Sequence, residues 1–280
     1  MNPELSILIV HTFEQRLIRQ TLRNLRRAVV RVPYEVIIID NNPGAGIVRM
    51  LQREFPEVRY VPMDRNRGFG GAMNAGFAQA KGEYILIFNP DIIVMPGAIE
   101  ELVAYKKDHP EIGFVGPRLE NADGTLQYSC QRFHELLIPV YRRTPLGKTA
   151  RGKSAIRRFL MQDEPHDVTM DVDWIIGSTM LTTAEQFREL GGFDDAIFMY
   201  FEDTDLCRRS WERGWRVVYH PAAKMVHFHR RASADGSLWR QLFSPLTWRH
   251  MQSALYYFKK YRGKVNPRLS QAPRKNPTQA

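Results

Sequence analysis

A mostly parallel β-sheet flanked by helices on both faces is the architecture that the first 117 residues predict, and three observations predict it. Short apolar runs rich in β-branched residues alternate with amphipathic stretches from Leu5 to Gly116. Each run is bounded by polar or turn-forming residues, as a buried strand should be. Four successive runs end in polar clusters, and in open α/β sheets ligands bind beyond the carboxyl ends of the strands.

The strands follow in order as Leu5–Val10, Glu35–Ile39, Val58–Val61, Tyr84–Phe88 and Gly113–Val115. Each is too short for a buried helix and too apolar for a loop. Between them the spacing predicts helices over 14–29, 44–54, 70–80 and 96–107. The polar strand ends are His11-Thr12, Asp40-Asn41-Asn42, Asp64–Gly71 and Asn89-Pro90-Asp91. Residues 121–124 signal a turn, with a return strand at Thr125–Ser129. Arg132 to Arg158 then carries eight basic residues against Glu135, and Pro139, Pro145, Gly147 and Gly152 predict an irregular, mobile insertion. Strands at Val168–Trp174 and Thr179–Thr183, helices at 184–190 and 202–213, a strand at Arg216–Tyr219 and a last helix at 238–261 complete the chain. Pro267, Pro273 and Pro277 mark a disordered end.

Composition narrows the class. Hydrophobic residues are 44% and charged residues 25% of the 280, which excludes wholesale disorder. The net charge of +10 resides entirely in residues 230–280, which hold 11 basic and one acidic side chain. Such a tail suits an anionic partner, nucleic acid or phospholipid, or serves solubility alone. No apolar run approaches the ~18 residues of a membrane span, and Leu5–Val10 lacks the basic flank of a signal peptide. Cys130 and Cys207 have no metal or redox spacing.

Four clusters have the residue types that chemistry needs. Asn66-Arg-Gly-Phe-Gly-Gly71 is a glycine-rich turn entering a helix, which lets backbone N–H groups approach a phosphate or sugar; it is equally a plain helix start. Asp91, just after a strand, is placed to hold a divalent cation or to close an Asx turn. In the run from Gly191 to Arg209, an exposed apolar-aromatic stretch, Ile197 to Phe201, leads into Glu202, Asp203 and Asp205. Asp203 and Asp205 point about 200° apart on a helix and cannot share a site. Asp205 is set for an ion pair with Arg209, whereas Asp203 is a candidate general base. His227 and His229, two apart on an extended segment, point to one side and are candidate metal ligands.

Taken in order, the strings Ile37–Asn42, Asn66-x-Gly-Phe-Gly70, Phe88–Asp91, Gly191-Gly-Phe-Asp194, Phe198–Arg209 and Val226-His227 resemble glycosyltransferase family 2, inverting enzymes of the GT-A fold, and within it the bacterial rhamnosyltransferase-like subgroup. The resemblance covers about residues 4–230. It implies a catalytic domain over 1–230, with a nucleotide-sugar half at 1–117 and an acceptor half at 118–230 that contains the basic insertion 132–158. A basic aromatic helix at 231–264 and a tail at 265–280 follow. It implies a donor site at Thr12, Asp40, Asn42, Asn66, Gly68, Asn74, Asn89 and Asp91, and sugar or acceptor contacts at Trp174, Gly177, Ser178 and Glu202. Asp203 matches the catalytic base, and Asp91 with His227 match the ligands of Mg²⁺ or Mn²⁺. Asn89 stands where relatives carry the first acid of an Asp-x-Asp motif. Phe13 and the segment Pro43–Gly46 also depart from the family pattern.

The implied activity is transfer of a sugar, with L-rhamnose from dTDP-L-rhamnose leading, to a hydroxyl of a lipid-linked or polysaccharide acceptor. The alternatives are a UDP- or GDP-sugar donor, as in galactofuranosyl or hexosyl transfer, or a non-catalytic binding protein for nucleotide sugars or nucleic acid. Residues 1–229 have no net charge and no nucleic-acid module, so nucleic acid is not an expected partner. The expected location is the cytoplasmic face of the cell membrane, with segment 238–275 touching anionic lipid or packing on the domain. A homo-oligomer is compatible with the sequence.

Overall fold

The computed structural model describes residues 2–13, 15–28, 30–42, 44, 46–228 and 245–270. Its centre is a ten-stranded sheet. Strands β1 (Leu5–His11), β2 (Tyr34–Asp40), β3 (Arg59–Pro62) and β4 (Tyr84–Phe88) run parallel in the order β3-β2-β1-β4, with helices α1 (Gln15–Arg27), α2 (Ile47–Glu54) and α3 (Gly68–Phe77) as crossovers. Alternation within each strand divides the core. Leu5, Ile7 and Ile9 face α1 and α2 together with Leu22 and Leu51, whereas Leu8 and Val10 pack with Ala72 and Met73 of α3. Burying each large aliphatic side chain contributes roughly 1.5–3 kcal/mol, so both faces must be covered.

The second half is mixed. After β5 (Ile92–Val94) and α4 (Ala98–Asp108), β6 (Ile112–Glu120) pairs with the short β7 (Leu126–Gln127), whereas β8 (Cys130–Gln131) forms a separate two-stranded sheet with Trp174-Ile175. Strand β11 (Thr179–Thr183) lies antiparallel between β4 and β6, with Thr179 opposite Phe88. The long β12 (Arg216–His227) pairs in parallel with β6 and antiparallel with β5, where His227 faces Ile92. Helices α7 (Ala184–Glu189) and α8 (Glu202–Glu212) cover the α3 face.

Several expectations change. The strand at Arg216–Tyr219 continues to His227 through a register shift between His220 and Lys224, so His227 lies in the strand. Gly113–Val115 extends to nine residues, and β5 went unpredicted. Val168–Trp174 resolves into β9 (Met170–Asp171) and β10 (Trp174–Ile175). The insertion is helical, with α5 (Ile138–Arg143), a 3₁₀ turn at Pro145–Lys148 and α6 (Ala150–Phe159), because Ile138, Ala155 and Phe159 find the core. Pro139 and Pro145 stand at helix starts, and Gly147 and Gly152 lie within the first turns, so none of the four prevents a helix. The last helix is α9 (Pro245–Lys260); residues 238–244 of the expected helix lie outside the described residues. Residues 265–270, expected in a disordered end, hold α10 (Pro267–Ser270), where Asn266 and Arg268 bond to the buried Asp173.

Candidate active site

Register brings the candidates to one edge of the sheet. His11, Asp40 and Phe88 end neighbouring parallel strands, since Leu8 pairs with Ile37 on one side and Ile87 on the other. Because β11 runs back along β4, its preceding residues Gly177 and Ser178 arrive where β4 gives way to Asn89-Pro90-Asp91. The Asn89 N–H donates to the Ser178 carbonyl at 2.8 Å, and the Gly177 N–H donates to Asp203 Oδ2 at 2.9 Å. Two consecutive residues thus bridge the Asn89–Asp91 turn to the first turn of α8.

The nucleotide-side candidates form a bonded loop cluster. Asp40 is buried and both its oxygens are engaged, Oδ1 with His11 Nδ1 at 2.9 Å and Oδ2 with the Tyr60 hydroxyl at 2.8 Å. Asn42 donates to the Thr12 carbonyl. Asn66 accepts from the Gly68 N–H and from Asn41, whose side chain also holds the Arg67 N–H and the Gly68 carbonyl. Asn41 is therefore the organiser of the glycine-rich turn, although it was not singled out; its place between Asp40 and Asn42 was the available signal. Asn74 exchanges both amide groups with the Phe193 backbone and also reaches Asp195. It ties α3 to the Gly191–Asp194 motif.

Close approach joins the turn to the acidic motif. Gly68 has φ +77°, and a Cβ there would overlap the Phe198 carbonyl, whose oxygen accepts from the Phe69 N–H at 3.3 Å. Tyr200 and Phe201 then adopt left-handed φ values of 65° and 67°, uncommon for non-glycine residues and costing about 1–3 kcal/mol each. This bend delivers Glu202 and Asp203 to the N-terminus of α8. The stretch Ile197–Phe201, expected to be exposed, is packed instead: Ile197 and Phe201 are buried against Tyr257 of α9.

Glu202 is buried, and its Oε2 has no hydrogen-bond partner among the described residues. Burial, then the neighbouring Asp203 charge, raises its pKa well above the usual carboxylate range. Burial also raises Asp203, opposed by hydrogen bonds from the Gly177 and Thr204 N–H groups. A half-buried carboxylate oriented by backbone donors, with a raised pKa, suits a general base. Asp205 points away, as its spacing required. It is fully buried and binds Arg209 at 2.8 Å, Lys260 at 2.6 Å and the Tyr261 hydroxyl at 2.7 Å.

On the other side, β5–β12 pairing sets His227 beside Asp91. His227 Nε2 lies 3.3 Å from Asp91 Oδ1, and its Nδ1 meets Gln127 Oε1 at 2.7 Å. The buried Asp91 Oδ1 accepts no hydrogen bond among the described residues. A sheltered carboxylate oxygen opposite an imidazole nitrogen, itself oriented by Gln127, fits one side of a Mg²⁺ or Mn²⁺ site, with further oxygen ligands left to a diphosphate. No group of three His, Cys, Asp or Glu side chains suited to a metal occurs among the described residues. Gln127 carried no sequence signal, and His229 lies outside the described residues. Trp174 is buried beside His134, its indole N–H donating to the Arg132 carbonyl, so it supports the site from within. The Ser178 hydroxyl is buried with no hydrogen-bond partner among the described residues.

The family described as Glycosyl transferase family 2 matches residues 6–170. An N-acetylglucosaminyl-diphospho-decaprenol L-rhamnosyltransferase of Mycobacterium tuberculosis is 30% identical over 214 residues, 70% of this chain and 66% of that protein. The chain thus spans just under two thirds of that relative. Rhamnosyltransferase WbbL of Escherichia coli is 28% identical over 91% of this chain and 93% of its own length. Among solved structures, a mannosyltransferase from Pyrobaculum calidifontis in complex with GDP-Man and Mn²⁺ superposes with a TM-score of 0.57 at 17% identity, covering 96% of this chain and 78% of that one. GalNAc-T7 with UDP, GalNAc and Mn²⁺ gives 0.62 at 16%, over 82% of this chain and 44% of that one. The chain has the GT-A fold, a mixed α/β structure with a central sheet flanked by helices.

Proposed function

Since the chain belongs to glycosyl transferase family 2 and is a glycosyltransferase, we propose that it transfers L-rhamnose from dTDP-L-rhamnose, with inversion, to a hydroxyl of a lipid-linked glycan. The observation that carries the chemistry is the Gly177-Ser178 bridge, which fixes Asp203 relative to the Asn89–Asp91 turn. The rhamnosyltransferase names of two relatives support the sugar, and the decaprenyl-diphosphate acceptor of one supports the lipid.

An acceptor hydroxyl is a poor nucleophile at neutral pH. Asp203 Oδ1 or Oδ2, aligned behind it, takes its proton as the bond to the anomeric carbon forms and the bond to the nucleoside diphosphate breaks. Gly177 and Thr204 hold that carboxylate in place. Burial raises the Glu202 pKa and so disfavours a second negative charge beside Asp203. Asp91 and His227 would hold Mg²⁺ or Mn²⁺, which when bound supplies positive charge to the leaving diphosphate. Asn89 offers a neutral oxygen beside them. The turn at Asn66–Gly68, rigidified by Asn41, lines the donor, while Thr12, Asp40, Asn42 and Asn74 shape the loops around it.

The test is transfer to a polyprenyl-diphosphate-linked sugar from dTDP-rhamnose, UDP-hexoses, UDP-galactofuranose and GDP-mannose, with and without Mn²⁺. Turnover with dTDP-rhamnose alone, lost on chelation and weakened in its Mn²⁺ dependence by Asp91→Ala, is expected. Turnover with a UDP- or GDP-sugar only would overturn the donor assignment, and metal-independent turnover would overturn the role of Asp91.

A further inference from the structure

Helix α9 has two opposite apolar faces. Ser253, Tyr257 and, just beyond the helix, Tyr261 recur every fourth residue and are buried against Phe201 and α8. Opposite them, at helical spacings of three and four, Trp248, Met251 and Leu255 are 56%, 51% and 72% exposed. Lys259 and Arg262 continue that outer stripe. A helix already anchored on one face needs no second apolar stripe for its own fold, so the outer one is available to something else.

Charge defines the partner. Residues 245–270 contain six Lys and Arg and no Asp or Glu. Lys260 is taken by Asp194 and Asp205, and Arg268 by Asp173. Lys259 and Arg262 make no ion pair among the described residues. Arg143 of the insertion reaches His250 on the inner side of α9 at 2.8 Å. A second copy packed on this face about a two-fold axis would oppose like charges, and nucleic acid would leave Leu255 and Met251 in water. An apolar stripe continued by two cations with no ion pair among the described residues matches the headgroup boundary of an anionic bilayer.

We propose that the Trp248–Met251–Leu255 stripe, with Lys259 and Arg262, docks the protein on an anionic phospholipid surface. The inner face of the same helix holds Phe201 and Asp205, so docking orients the Glu202–Asp203 turn relative to that surface. The inference is independent of which sugar is transferred, because it is measured without donor.

The experiment is co-sedimentation of the full chain with phosphatidylcholine vesicles, with and without phosphatidylglycerol. Binding to the mixed vesicles, and far weaker binding to phosphatidylcholine alone, is expected. Trp248→Ser/Leu255→Ser should lower partitioning on the order of ten-fold or more, and Lys259→Gln/Arg262→Gln on the order of twenty-fold. Both variants should melt at the wild-type temperature, since these side chains face outward. Unchanged vesicle binding by both variants, equal binding to phosphatidylcholine alone, or no binding at all would overturn the proposal. Conversion of a sedimenting dimer to monomer by Trp248→Ser/Leu255→Ser would likewise overturn it, assigning the stripe to self-association.

Discussion

Replacing Gly68 by alanine perturbs two parts of the site at once. The residue sits at φ +77°, and its added Cβ would overlap the Phe198 carbonyl oxygen and lie 2.8 Å from the carbonyl carbon. Ordinary carbon contacts are ~3.5–4.0 Å, so the Phe198 backbone must retreat by about 1 Å. The left-handed conformation costs roughly 1–2 kcal/mol for a side chain, and overpacking adds roughly 1–3. A loss of about 2–5 kcal/mol lowers the melting temperature by roughly 3–9 °C in a chain of this size. Phe198 leads through Tyr200 and Phe201 directly to Glu202, so the displacement also reaches Asp203, where ~1 Å is worth about a hundred-fold in rate. Gly124→Ala is the comparator: its φ is +80° with nothing within 4 Å, so it incurs only the backbone cost. Calorimetry and turnover on both variants separate the two effects. If Gly68→Ala and Gly124→Ala lose equal stability and both keep wild-type turnover, the close approach of the two motifs has no role.

Three further outcomes are expected. Glu202 has a raised folded-state pKa, so its contribution to stability is full below the ordinary carboxylate range and is lost as pH rises through the raised value. Glu202→Gln should therefore gain on wild type in melting temperature as pH increases through that window; parallel curves in a fluorimetric pH series would contradict this. The acid limb of kcat should lie above the usual carboxylate range because burial raises Asp203, and a limb near the ordinary value in a pH–rate profile would argue against Asp203 as the group titrating. Asp205→Asn leaves Arg209 and Lys260 facing a neutral amide in the interior and should cost about 3–5 kcal/mol, read from denaturant midpoints; a change within error would show that the cluster is not an energetic anchor.

The parallel half was legible because its signal is local. Leu5–Val10 and Tyr84–Phe88 announce themselves by apolar run length, and their ends follow from that. The opposed directions of Asp203 and Asp205 were likewise set by helical geometry. What escaped depends on distant pairing. Asp40 appears from sequence to be open to a ligand, but parallel register sets His11 on one oxygen and Tyr60 from the adjacent strand on the other. The strand predicted at Arg216–Tyr219 stops short of His227 because apolar run length cannot register pairing with β6 and β5, which carries the strand onward. The insertion was misread as irregular because prolines at Pro139 and Pro145 sit at helix starts, where they are tolerated. Charge counting alone left the C-terminal helix undecided between packing and lipid. The structure shows the packing, with Tyr257 and Tyr261 buried, and leaves Trp248 and Leu255 outward.

The central claim is that Asp203 removes the acceptor proton while the rest of the site binds the donor. Asp203→Asn keeps the side chain's shape and retains, through its remaining oxygen, one of the two hydrogen bonds that Gly177 and Thr204 donate to separate carboxylate oxygens, but it removes the base. Single-turnover transfer alongside donor binding by calorimetry tests this most directly. The expected result is a rate loss of about 10²–10⁴-fold with donor affinity unchanged; transfer at the wild-type rate would contradict the account.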